Sequence, residues 1–124
     1  ETLFTTNFVR SAIELTVEVH GQWFMIVRYG PGSLVSRERS AIAAARVLHP
    51  DYQIPLAVVT NGRDAELIDT ATGKILGNGL KSIPNRIQAE SLLTTLDFPA
   101  RQKDPELERE KRILNAFDVE RCCL

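Results

Sequence analysis

The sequence predicts an α/β fold built on a mixed β-sheet flanked by helices. Three observations carry that expectation: period-two alternation on both sides of Gly21, an alanine-rich helical segment between two apolar strands, and Asn61-Gly62 directly after the second of those strands. From Ile13 onward, Ile13, Leu15, Val17 and Val19 point to one side and Glu14, Thr16, Glu18 and His20 to the other, as the side chains of a strand do. After Gly21, Trp23, Met25 and Val27 alternate with Phe24, Ile26 and Arg28. Two such runs about a glycine turn make a hairpin. Their apolar sets must share a face, because a slip of one residue sends every side chain to the wrong side. A three-residue turn, His20-Gly21-Gln22, meets that condition. It opposes Val19 to Trp23, Val17 to Met25 and Leu15 to Val27, and it sets Glu14 across from Arg28.

Tyr29-Gly30-Pro31-Gly32-Ser33 breaks the second strand. Ser36 is placed to cap a helix running to about Leu48, and Pro50 ends it. Ala41, Ala43, Ala44 and Ala45, with Ile42 and Leu48, let that helix approach a sheet closely. The nearly continuous apolar run from Ile54 to Thr60 reads as a buried strand. Strand, helix and strand at this spacing form a right-handed crossover, so the third strand is expected parallel to the second. Asn61-Gly62 is a strong hairpin signal and returns the chain into Ala65–Asp69; Thr70 to Gly73 turns once more into Lys74-Ile75-Leu76.

Gly77 and Gly79 mark a loop, Asn85 caps a helix over roughly 87–96, and Phe98 to Lys103 is a short linker. Asp104-Pro105 opens a last helix over about 104–120, with a capping residue and a first-turn proline. Leu107, Leu114 and Phe117 give it one apolar stripe, and its many acids suggest a solvated face. These elements make one domain with its core in 12–96. Because residue 1 is Glu rather than Met, the native chain is expected to begin further upstream.

A chain of 124 residues, 44% hydrophobic and 25% charged, can bury a core and is unlike disordered or fibrous sequence. Its longest apolar runs, Trp23 to Val27 and Ile54 to Val59, fall far short of the roughly 20 residues of a membrane helix, so no membrane partner is expected, and no secretion leader is read. Cys122 and Cys123 are adjacent and cannot staple the fold, which suits a reducing cytoplasm and an inert tail. His20 and His49 show no ligand spacing, and His49 reads as a loop residue. No metal site is read from these residues. The net charge of −1 conceals two opposite patches. Arg28, Arg37, Arg39 and Arg46 face only Glu38 within 28–46, whereas six acids outnumber three bases within 104–120. The basic patch lies on a loop and helix start, where backbone N–H groups favour anions. Ser33, Ser36, Arg37 and Arg39 are therefore the candidate anion- or DNA-binding residues, although the loop is neither a P-loop nor a dinucleotide fingerprint.

Arg28-Tyr29-Gly30-Pro31-Gly32-Ser33-Leu34-Val35-Ser36-Arg37-Glu38-Arg39, Ile54-Pro55-Leu56-Ala57-Val58-Val59-Thr60-Asn61-Gly62 and Leu80-Lys81-Ser82-Ile83-Pro84 lie within a stretch, 12 to about 86, that resembles the N-terminal domain of type I restriction enzyme R subunits. More narrowly they resemble a small stand-alone bacterial branch of it. The resemblance implies a restriction-endonuclease-like α/β core with a PD-(D/E)xK site. Active members carry an Asp on the first hairpin strand, and an acid, one spacer and a Lys on the second; the acids hold Mg²⁺ and the Lys helps activate water. Glu14 falls at the Asp position, Arg28 at the Lys position, and Ile26 replaces the intervening acid. A single carboxylate beside a guanidinium that cannot shed a proton is a poor Mg²⁺ site.

The expected function is therefore a degenerate nuclease-fold module that grips phosphate or DNA weakly through Arg28, Arg37 and Arg39, with no cofactor. The alternatives are an active Mg²⁺-dependent endonuclease completed by a missing N-terminal segment, and a protein-interaction or dimerisation domain, a homodimer among its forms, using a sheet edge or the last helix.

Overall fold

The computed structural model describes the backbone of residues 2–6, 9–13 and 15–123 and the side chains of 15–116. A hairpin of β1 (Thr2–Thr6) and β2 (Val9–Ile13) precedes a five-stranded mixed sheet. The sheet's strands run β3 (Leu15–Val19), β4 (Gln22–Tyr29), β5 (Leu56–Thr60), β6 (Ala65–Asp69) and β7 (Ile75–Asn78), adjacent in that order. All neighbours are antiparallel except β4 and β5, which are parallel and joined through α1 (Val35–Val47). The α/β class, the parallel crossover and the Asn61-Gly62 hairpin are as the sequence predicts. The β1–β2 hairpin is an addition, since residues 2–13 show no clean alternation to announce it.

The first hairpin keeps its expected register at Leu15↔Val27 and Val17↔Met25, by a different route. The turn has two residues, His20 and Gly21, both at positive φ (53° and 80°), the geometry that matches strand twist. Val19 then opposes Gln22 and Glu18 opposes Trp23, and a bulge at Phe24 restores the register. The bulge also moves side chains between faces. Phe24 joins Met25 on the side of α2, and Trp23 joins Ile26 on the side of α1. The simple alternation expected for 23–28 is thereby corrected.

Each face of the sheet has its own core. Ile26, Ala57, Val59 and Ile68 meet the alanines of α1; Phe24, Met25, Leu56, Val58 and Leu67 are covered by α2 (Arg86–Leu93) and the segment after it. Asn85 caps α2 as expected, accepting from Gln88 N–H while the Gln88 side chain accepts from Asn85 N–H. β7 extends through Gly77, which was expected in a loop. The linker before the last helix is pinned, with Gln53 N–H donating to Pro99 O and Gln53 Nε2 to Ala100 O.

The last helix, α3 (Glu106–Cys123), corrects two expectations. Pro105, not Asp104, occupies its capping position, with Arg109 N–H donating to the Pro105 carbonyl. Its acidic face is not wholly solvated. Glu110 is completely buried and Leu114 is sealed into the α1 core. Ala43 and Val47 leave the second face of α1 apolar and thin, so α3 closes over it. Glu110 accepts from Arg39 Nη2 and from Arg46 Nη1 (3.1 Å to Oε2), while Arg46 also donates to the Thr70 carbonyl through Nε (3.0 Å) and Nη2 (2.8 Å). Burial alone raises the Glu110 pKa, but the hydrogen bonds and charges of Arg39 and Arg46 outweigh it and hold the carboxyl below its ordinary 4.5. Phe117, and the side chains of Cys122 and Cys123, lie outside those described.

Two outcomes follow. Glu110→Ala is expected to lower stability in urea unfolding by about 3 kcal/mol, because it strands a largely buried Arg46. Since its folded pKa is depressed, the carboxylate's contribution is present above pH 4.5 and fades as pH falls through the folded value. The stability gap between wild type and Glu110→Gln should therefore shrink on acidification below that point.

Candidate functional site

The carboxyl ends of the parallel strands β4 and β5 are where an α/β sheet exposes loops and a helix start together. One row crosses the sheet there on the α1 side. Arg28 on β4 pairs with Val59 on β5, Val59 with Glu66 on β6, and Glu66 with Asn78 on β7. Arg28 is 2% exposed. Glu14, expected across from Arg28, lies outside the described residues. Two residues back along β4, Ile26 is fully buried among the alanines of α1. The position at which the resemblance calls for a second carboxylate is thus hydrocarbon, next to a buried guanidinium, and does not fit Mg²⁺. Among the described residues, no group of three or more His, Cys, Asp or Glu could hold a metal ion.

Loop 30–34 is built around Arg37. Its Nη1 donates to the carbonyls of Gly30 (3.0 Å) and Ser33 (3.1 Å), and its Nη2 to that of Pro31. The Gly-Pro-Gly-Ser motif therefore turns oxygens inward to hold a cation. Gly30 makes this possible, because a methyl there would stand 2.5 Å from Arg37 Nε. Gly32, at φ 85°, carries the chain through the tightest part, and Asn61 Nδ2 holds its carbonyl at 2.9 Å. The Thr60-Asn61-Gly62 turn is fixed by its own side chains. Asn61 Oδ1 accepts from Arg63 and Asp64 N–H, and Thr60 Oγ1 donates to Asp64 O.

The candidate anion-binding residues thus divide. Ser33 and Ser36 sit at the start of α1, where Ser36 Oγ donates to Ser33 O at 3.2 Å. Ser36 is inside the helix rather than capping it, Leu34 takes the cap position, and no side chain caps the first turn. Arg37 is engaged by the loop carbonyls. Arg39 lies further along α1, bonded to Glu110 with 45% of its side chain exposed.

Two features were not anticipated. Glu66 approaches Glu38 of the first turn of α1 within hydrogen-bonding reach, with Asp64 nearby; the Glu38 contact first, then burial and the two neighbouring charges, raise the Glu66 pKa to about 7. The register of β6 against β5 was the only sequence signal pointing there. The second is the surroundings of His49, a loop residue as expected. Its ring stacks on Tyr52 at 3.8 Å and meets Trp23 edge-on at 5.0 Å. Its Nδ1 accepts from Asp51 N–H at 3.1 Å, and Trp23 N–H donates to Tyr52 Oη at 2.8 Å. Those bonds describe a packing cluster rather than a ligand site.

Gly30→Ala should expel the Arg37 guanidinium from its carbonyl cage, at a cost of about 2 kcal/mol. The double variant Gly30→Ala/Arg37→Ala should be no less stable than Arg37→Ala alone, and a double-mutant cycle by thermal unfolding reads that coupling.

Among the described residues no helix is long and apolar enough to cross a membrane. Comparison with family models, with curated proteins and with solved structures returns no match.

Proposed function

We propose that this chain is a non-catalytic nuclease-fold module, of the kind its resemblance to type I restriction R subunits implies, that binds the phosphates of DNA weakly and without sequence preference. The supporting observation is the start of α1. A 13-residue helix opens, with no side-chain cap, at the carboxyl ends of two parallel strands and close to buried Arg28. Uncapped N–H groups and the helix dipole together favour an anion, and Ser33 and Ser36 add hydroxyls at the same turn. Of the three arginines expected to grip phosphate, Arg28 is buried and Arg37 is held by its loop, which leaves Arg39 as the cation with an exposed face. Buried Ile26 argues against metal-dependent cleavage. A cytoplasmic setting accords with adjacent cysteines, which rarely bridge each other because the ring is strained.

A second reading, assembly into a homodimer or with another protein, draws on the open β7 edge, where Leu76 is 56% and Leu80 50% exposed. That edge is four residues long and carries a bulge against β6, two features that discourage strand addition.

Titration of a short fluorescent duplex from low to physiological salt separates the readings. One arginine contact should give a slope of log affinity against log salt of about −1, with dissociation constants of about 10⁻⁴ to 10⁻⁶ M at physiological salt. Ser36→Asp places a carboxylate in the first turn. It should stabilise α1 by about 0.5 kcal/mol and remove the binding. No binding at low salt, or undiminished binding by Ser36→Asp, would leave the interaction reading in place.

A further inference from the structure

The five-stranded sheet ends in β3 on one side and β7 on the other, and the two edges differ. The irregularity between β6 and β7 falls on the edge strand itself. Leu67 opposes Gly77 and Ile68 opposes Ile75, so Leu76 is the extra residue. The irregularity between β3 and β4 falls on the inner strand, where Phe24 is the extra residue. β3 therefore keeps a regular outer row of N–H and C=O groups, and among the described residues β4 is its one strand partner. Its sequence, Leu-Thr-Val-Glu-Val, is mostly β-branched and has neither of the residues, Pro and Lys, that most often blunt an edge. Its one charge is drawn toward β4, since Glu18 Oε2 accepts from Trp23 Nε1 at 3.2 Å.

An apolar cavity lies at the same edge. It measures about 440 Å³ and is lined by Val17, Val19, Phe24 and Ala89, with the Arg86–Glu90 ion pair of α2 at its rim. Glu18 also lines it, although its side chain leaves the strand on the opposite face from Val17 and Val19. A cavity touched by consecutive residues of a strand reaches the strand's backbone. Because β4 covers the inner side of β3, the cavity opens on the outer one. Leu15 shares the face of Val17 and Val19, is 53% exposed and does not line the cavity.

We propose that β3 pairs antiparallel with β3 of a second copy of this chain, about a two-fold axis at Val17, so that the exposed Leu15 of each copy enters the cavity of the other. The residue pattern selects that register. About this axis Val17 faces Val17, Leu15 faces Val19 and Thr16 faces Glu18. Apolar side chains then share the α2 face, and no like charges stand directly opposite. A slip of one residue sets apolar against polar side chains. A slip of two sets Glu18 against Glu18 in one direction and leaves Glu18 and Val19 unpaired in the other. In the selected register the Cβ of Leu15 stands about 5 Å from the Cβ of the second copy's Val19, at the mouth of the cavity. The axis makes every contact twice and closes the assembly at two chains, since each copy uses the same edge. The inference is independent of phosphate binding.

Sedimentation equilibrium over a wide range of concentration should show the chain passing from monomer to dimer. Leu15→Lys, at an exposed position, should weaken the dimer about a hundredfold, because the axis removes two leucine contacts at once. Cross-linking reads the register in a Cys122→Ser/Cys123→Ser background. There Val17→Cys should join two copies on mild oxidation, since facing residues of an antiparallel pair have Cα atoms about 5 Å apart, within the span of a disulfide. Leu15→Cys alone should not cross-link, whereas Leu15→Cys chains mixed with Val19→Cys chains should. A wild-type chain that stays monomeric at every concentration overturns the proposal and leaves the edge to an extended segment of another protein. A dimer that Leu15→Lys does not weaken, or that Val17→Cys does not cross-link, overturns it as well; cross-linking through Leu76→Cys would then move the interface to β7.

Discussion

Helix α1 is enclosed on two sides, and the rest of the molecule is arranged around that enclosure. Its alanines bring it close to the sheet, and the same small side chains leave its second face unable to shield itself from water. A covering helix is therefore required, and α3 meets the need with Leu114 while carrying Glu110 into the interface. A lone carboxylate there would be intolerable. Arg39 and Arg46, seven residues apart and so on the same side of α1, neutralise it from two directions, and Arg46 extends the network to the Thr70 carbonyl. The arrangement demands one position of α3 along α1, because sliding by a turn would leave three charges without partners. This is a case in which buried ions specify register more than they add stability.

The carboxyl end of the sheet illustrates how misleading a glycine-rich loop can be when read by composition. Glycine-rich turns before helices often present N–H groups to phosphate. Here the turn presents carbonyls, and an arginine from the following helix occupies the cradle. The polarity of the loop and the polarity of the helix start are opposite, which separates a cation-holding layer inside from an anion-favouring surface outside. Acidic groups share this end of the sheet, with Glu38 in the first turn of α1 and Asp64 beside Glu66 on the β5–β6 side.

Local patterns in the sequence were sufficient for much of this. Alternation located β3 and β4 and their pairing at Val17 and Leu15; the apolar run and the crossover rule made β5 parallel; Asn85 marked the start of α2 through side-chain chemistry acting over three residues. What stayed hidden was long-range or compensating. Arg39 and Glu110 are 71 positions apart, and nothing in an acidic helix marks Glu110 as a glutamate that turns inward. Glu38 neighbours Glu66 only because the β4–β5 crossover lays α1 on the face of the sheet that β6 shares. The bulge at Phe24 was concealed because a shorter turn and an extra strand residue cancel, leaving the distal register unchanged while exchanging Trp23 and Phe24 between faces.

That cancellation separates the tip of the hairpin from its base. On the tip side, β3 and β4 are offset by one residue relative to the remainder, and the irregularity sits between Val17 and Glu18 opposite Phe24. Changes of length near His20 and Gly21 can be absorbed at the bulge without moving Arg28 or its row. The tip is thus the place in this sheet where insertions are best tolerated, and where a fused peptide or a label could be carried with the carboxyl-end site undisturbed.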